Sequence, residues 1–182
     1  MNTAGNENDS IIDETFRALN NRHNCIYQFV IQYNEYILSV HDYGEGIPLT
    51  MIEAHTLTYI EENPGVTVTQ LAKYWNKTKA ALSITVSYLT KLGLVRKTKE
   101  DGNAKNIRLY VTEQGLRLSK AHKLYDTLDI AKTMGELQKE CSVEEIESFY
   151  KVMGVYNKII RQDFEINSGR KRKRKSDDVC VK

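Results

Sequence analysis

The sequence predicts a mainly α-helical fold carrying one small β-hairpin, and three observations predict it. Apolar residues recur at helical spacing over long stretches at both ends of the chain. Threonine and serine capping signals mark helix starts between them. A single reversal, Asp101-Gly102-Asn103, separates two short runs with strand character. Composition agrees: of 182 residues 41% are hydrophobic and 27% charged, with 2 Pro and 10 Gly, which excludes collagen-like and wholly unfolded chains. The longest apolar runs, such as Phe29-Val30-Ile31, fall far short of the roughly 18 residues of a membrane span. Met1 to Ser10 is polar and acidic where a secretory leader is basic and then apolar. A cytoplasmic location is therefore expected. Cys25, Cys141 and Cys180 form neither an even set nor a CxxC pair, as in proteins of reducing compartments.

From Ile11 to Val40, Phe16, Leu19, Ile26, Phe29, Val30, Tyr33, Ile37 and Val40 form one stripe of a long helix. His41 to Leu49, with Gly44, Gly46 and Pro48, reads as a connecting loop. Thr50-Met51-Ile52-Glu53 is a capping box opening a helix to about Glu62, which Asn63-Pro64-Gly65 ends. Thr67-Val68-Thr69-Gln70 boxes a short helix to about Asn76. Thr78 caps a fourth helix to about Leu92, with Leu82, Thr85, Val86 and Leu89 inward and Gly93 as its stop. Leu94 to Lys99 and Ile107 to Val111 are the two strands of the hairpin. Thr112 caps a long helix through Leu137, and Ser142-Val143-Glu144-Glu145 boxes a last one to about Gln162. Asn167 to Lys182 reads as a polar tail.

Three short helices followed by a hairpin form a winged helix-turn-helix, in which the third helix enters a major groove and the hairpin lies beside it. The predicted architecture is an N-terminal dimerisation helix and loop over residues 11–48, the winged unit over 49–112, C-terminal dimerisation helices over 113–166, and a disordered basic tail over 167–182. Charge follows the same division. The net charge is −8 for residues 1–64, +7 for 65–112, −2 for 113–169 and +5 for 170–182. A basic middle in an acidic frame suits a polyanion such as double-stranded DNA. The tail contains six consecutive basic residues, Arg170 to Lys175, expected to strengthen nonspecific attachment to DNA by counterion release. No Ser-His-Asp or Cys-His set, phosphate-binding glycine loop or metal-ligand spacing offers an enzyme mechanism. The four histidines, His23, His41, His55 and His122, have no short spacing, so neither a metal nor another cofactor is expected.

Several runs in this order resemble the MarR (multiple-antibiotic-resistance regulator) family of bacterial winged-helix regulators. They are Leu49-Thr50, Val68-Thr69-Gln70-Leu71-Ala72, Thr78-Lys79-Ala80-Ala81-Leu82-Ser83, Leu89-Thr90-Lys91-Leu92-Gly93-Leu94-Val95-Arg96 and Val111-Thr112-Glu113-Gln114-Gly115. The resemblance implies a homodimer with interlaced terminal helices, a pseudo-palindromic operator, usually repression, and release by a small phenolic or anionic effector or an oxidant. It places Lys77, Thr78, Lys79, Ala81, Ser83, Ser87 and Tyr88 in the groove. It gives Arg96, Lys97, Lys99, Asn103 and Lys105 to the wing, and Thr67, Thr69 and Gln70 to backbone phosphate.

Two departures bear on base reading. Gly102 stands where many members carry a minor-groove arginine, and Ala80, Ala81 and Ile84 offer methyl contacts to thymine instead of hydrogen bonds, which suggests an A·T-rich operator. Tyr33, Tyr36, His41, His55 and Tyr59 are the candidate effector-pocket residues. Cys25, on the first helix, is the candidate redox residue, although a lone cysteine on an apolar helix is more often buried and inert. The alternatives are a thiol redox switch and a winged-helix module that binds protein.

Overall fold

The computed structural model describes the backbone of residues 4–100 and 103–177 and the side chains of residues 10–99 and 107–163. The order is α1 (Ala4–Leu38), β1 (Val40–Asp42), β2 (Pro48–Thr50), α2 (Met51–Glu62), α3 (Val68–Tyr74), α4 (Lys79–Lys91), β3 (Val95–Glu100), β4 (Asn103–Val111), α5 (Glu113–Leu137) and α6 (Val143–Asp177). Both two-stranded sheets are antiparallel, β1 with β2 and β3 with β4. The mainly helical class with a small hairpin holds. Two compact units divide the chain, Met1–Asp126 and Thr127–Lys182.

In the first unit, Leu57 and Ile60 of α2, Leu71 of α3, and Leu82, Val86 and Leu89 of α4 are buried together with Leu94, Val95, Leu109 and Leu118. Capping explains the frame. Thr50 and Glu53 form a reciprocal box, as do Thr67 and Gln70, and the Ala81 amide donates to Thr78 Oγ1 at 3.2 Å. Asn76 ends α3 in the left-handed region at φ 49°, so the Lys77 amide can donate back to the Ala72 carbonyl at 3.0 Å. Gly93, at φ 74°, closes α4 in the same way, with the Leu94 amide donating to Leu89 O.

The second unit holds the end of α5 and α6. Ser142 and Glu145 cap α6 reciprocally, at 2.8 and 3.2 Å. Ile146 is nearly buried, while Phe149, Val152, Val155, Ile159 and Ile160 are exposed.

Four expected boundaries differ. The loop expected over His41 to Leu49 contains β1 and β2. Asp42 Oδ1 accepts from the amides of Gly44 and Gly46 at 2.9 and 3.1 Å, turning the chain so that His41 faces Leu49 and Val40 faces Thr50. α1 starts at Ala4, ahead of Ile11. β4 starts at Asn103, because pairing continues past a register shift at Lys99 and Glu100. The backbone is helical to Asp177, where an unstructured arm was expected from Asn167.

Candidate nucleic-acid interface

The winged unit builds its outer surface from α3, α4 and the β3–β4 hairpin. Leu82, Val86 and Leu89 bury one face of α4, which turns Ala80, Ala81, Ile84, Ser87, Tyr88 and Lys91 outward. Ile84 is 73% exposed, an apolar side chain with no core to fill. Lys77, Thr78 and Lys79 are exposed at the start of this helix, and Ser83 is half-buried. Ahead of it, Thr69 and Gln70 are exposed and Thr67 half-buried, with Gln70 Oε1 accepting from both the Thr67 amide and its hydroxyl.

The hairpin is anchored to this surface. Val66 bridges Leu109, and Arg108 Nη1 donates to Gly65 O at 3.2 Å, which ties the turn before α3 to β4. Lys97 Nζ reaches Ser87 Oγ of α4 at 3.4 Å. Arg96 lies over the Tyr110 ring at 4.6 Å and donates to Thr98 Oγ1, so its guanidinium is held in place while exposed. Among the described residues none of Lys77, Lys79, Lys91, Arg96, Lys97 and Lys99 forms an ion pair. The side chains of Asn103 and Lys105 and the position of Gly102 lie outside the described residues. Lys91, absent from the sequence-derived set, is exposed on α4; its place in the Leu89-Thr90-Lys91 run and the helical period were the available signal.

The expected effector residues lie along one chain of ring contacts, which also includes Tyr43, His122, Trp75 and Tyr74. Tyr33 and Tyr36 have ring centroids 6.0 Å apart, and Tyr36 meets His41 at 5.7 Å. Tyr59 packs on Tyr74 at 4.0 Å. His55 links the two sets: it is edge-on to His122 at 4.6 Å, whose ring meets Tyr43 beside His41, and edge-on to Trp75 at 6.2 Å, which meets Tyr74. Cys25 is exposed on α1, unlike the buried cysteine the base rate favoured.

The histidines are not scattered, because the fold brings two of the four together. His122 on α5 is 2% exposed and its Nε2 lies 3.3 Å from Asp126 Oδ2; His55 Nε2 on α2 lies 3.6 Å from the same oxygen. Thr58 Oγ1 is hydrogen-bonded to His122 Nδ1 at 3.0 Å, and Ser119 Oγ donates to Thr58 Oγ1. Burial lowers the His122 pKa below the usual imidazole value, against the opposing pull of Asp126. Nearby, hydrogen bonds from Lys123 to Glu61 and Glu62 raise the lysine pKa. Tyr43, edge-on to the His122 ring at 4.9 Å, has its pKa pushed up to about 12, first by burial and then by Asp126. The His122-x-x-x-Asp126 spacing was visible as one helix face, but its distance from His55 along the chain hid the cluster.

The MarR family sequence model matches residues 46–105, which run from the β1–β2 turn through β3 and into β4. YhjH of Bacillus subtilis (strain 168), described as an uncharacterized HTH-type transcriptional regulator, is 32% identical over 84 residues, which are 46% of this chain and 48% of that protein. The match thus spans about half of that relative. FabT of Streptococcus pneumoniae, solved in complex with DNA, superposes with a TM-score of 0.59 at 19% identity, over 81% of this chain and 98% of its own. ZitR of Lactococcus lactis, described as a zinc-responsive MarR family member, gives a TM-score of 0.59 at 17% identity, over 77% of this chain and 97% of its own. No helix of the described residues is long and apolar enough to cross a membrane. Residues 46–105 of this chain are thus similar to the MarR family, and its fold is that of the solved winged-helix structures.

Proposed function

We propose that the protein is a homodimeric, sequence-specific DNA-binding transcriptional repressor that acts in the cytoplasm on a pseudo-palindromic operator. The observation that carries this reading is the face of α4 and β3, where exposed Lys77, Lys79, Lys91, Arg96, Lys97 and Lys99 surround a helix surface of small and apolar side chains. Exposed cations supply affinity through phosphates. Ala80, Ala81 and Ile84 supply contacts to thymine methyls, and Ser87 and Tyr88 supply polar contacts. Thr67, Thr69 and Gln70 approach the backbone at the α3 N-terminus, and the wing adds Asn103 and Lys105.

Dimerisation is supported by unpartnered apolar surface. Phe16, Leu19, Phe29, Val30 and Ile31 on α1 and Val152, Val155, Ile159 and Ile160 on α6 are each about half exposed or more, which is more apolar surface than a monomer ordinarily leaves to water. In this reading residues 11–48 and 113–166 dimerise, 49–112 bind DNA, and 167–182 add a basic attachment. Release by a small phenolic or anionic effector is supported by the Tyr33, Tyr36 and His41 ring contacts, with His55 and Tyr59 on the adjoining helix.

The test combines sedimentation with DNA-binding anisotropy. The proposal expects a dimer at micromolar concentration and a sharp loss of DNA binding when Lys79 and Arg96 are both replaced by Ala. A monomer, or unchanged binding by that variant, would overturn it, the latter favouring a protein-binding winged helix.

A further inference from the structure

We infer that Ile84 reads the C5 methyl group of a pyrimidine in the major groove, so that thymine and 5-methylcytosine are accepted at one base pair of each half-site while uracil and unmethylated cytosine are disfavoured. The inference rests on the DNA-binding reading and deepens it. What the centre of the α4 face recognises is a methyl group, which makes binding sensitive to the methylation state of the DNA.

Ile84 is 73% exposed at the middle of α4. Ala80 and Ala81 lie one turn before it, and Ser87 and Tyr88 one turn after it, all exposed. A β-branched side chain so exposed adds little to the core, and isoleucine is a poorer helix former than alanine. Its apolar surface is covered only when something docks on α4. The surrounding charge indicates what docks: Lys77 and Lys79 precede it, Lys91 follows it, and Lys97 stands on the adjoining strand, all exposed. This is an apolar spot between cations, suited to a groove floor bordered by phosphates. The C5 methyl is the bulky apolar group that such a floor displays.

The hydroxyls nearest Ile84 are engaged within the protein. Thr78 Oγ1 accepts from the Ala81 amide at 3.2 Å, Thr85 Oγ1 donates to Ala81 O at 3.4 Å, and Lys97 Nζ donates to Ser87 Oγ at 3.4 Å. The Ile84 side chain itself has no donor or acceptor, so it cannot tell the O4 acceptor of thymine from the N4 donor of cytosine. It registers the methyl group, which stands at the same C5 position in thymine and 5-methylcytosine and is missing from uracil and cytosine. Burial of one methyl-sized group is worth about fourfold in affinity, and two symmetric half-sites about 15-fold.

The test uses the full chain and a duplex enriched from a random DNA pool, followed by fluorescence anisotropy. Each thymine of a half-site, with its symmetry mate, is replaced in turn by uracil, which removes only the methyl. At least one such pair should weaken binding by about 15-fold. At that pair 5-methylcytosine, opposite guanine, should bind better than cytosine by a similar factor. Ile84→Ala should lose most of both differences, and circular dichroism checks that it folds. Lys79→Ala, by contrast, should weaken binding to every duplex and leave the thymine-to-uracil ratio unchanged. Equal binding of all uracil duplexes by the original chain, no gain from 5-methylcytosine over cytosine, or undiminished discrimination by Ile84→Ala overturns the inference while the DNA-binding reading stands. If no duplex binds at all, both fall.

Discussion

Replacing Gly115 by Ala tests how the wing is joined to α5. Gly115 lies in the first turn of α5, and a Cβ added there would sit 2.0 Å from the Leu94 carbonyl oxygen at the start of the wing. An ordinary carbon–oxygen contact is about 3.3 Å, so the backbones must part by more than about 1 Å. Three donors hold this junction. The Thr112 amide donates to Leu94 O at 3.0 Å, Thr112 Oγ1 donates to Gly93 O at 2.7 Å, and the Gly115 amide donates to Thr112 Oγ1 at 3.0 Å. At about 1 kcal/mol each, their loss outweighs the gain of roughly 1 kcal/mol that Gly→Ala brings inside a helix. The net destabilisation is about 2 kcal/mol. Gly135 in the same helix is the control, since nothing lies within 4 Å of its added Cβ; Gly135→Ala should stabilise by about 0.5–1 kcal/mol. Urea unfolding, followed by circular dichroism and by the single Trp75 at fixed protein concentration, measures both. A Gly115→Ala variant as stable as the original chain would refute the reasoning.

Three further outcomes follow from the same geometry. Lys79→Ala removes one phosphate contact from each protomer of a dimer, so the slope of log K against log salt should flatten by about 1.8; an unchanged slope would remove Lys79 from the interface. Asn76→Gly should be neutral within a few tenths of a kcal/mol, whereas Asn76→Val should cost about 1–2 kcal/mol at φ 49°, as read by thermal melts. Tyr43 has a folded pKa of about 12 against 10.0 unperturbed. The unfolded chain therefore loses this proton first, and the contribution, full below pH 10, is lost as pH rises toward 12. Tyr43→Phe should accordingly flatten the alkaline fall in stability by up to about 2–3 kcal/mol, and identical alkaline profiles would contradict the assigned burial.

The parts of this fold legible in the sequence are those set by neighbours along the chain. Thr50, Thr67, Thr78 and Ser142 cap their helices through residues three positions on, so a short window contains the whole cause. The α4 face is legible for the same reason, because burial of Leu82, Val86 and Leu89 fixes what points outward. The β1–β2 ribbon was hidden because Gly44, Gly46 and Pro48 signal a loop, while the pairing depends on Asp42 holding two amides and on Leu49 reaching the core. The His55, His122 and Asp126 cluster was hidden for a different reason. α2 and α5 meet only after the winged unit folds, and no local period links residue 55 to residue 122.

The central claim, an operator read by a dimer through α4 and the wing, is tested most directly by selecting bound duplexes from a random DNA pool at near-physiological salt. The account predicts an enriched, A·T-rich inverted repeat with half-site centres about one helical turn apart. Recovery of no sequence, with binding that vanishes as salt rises, would contradict it.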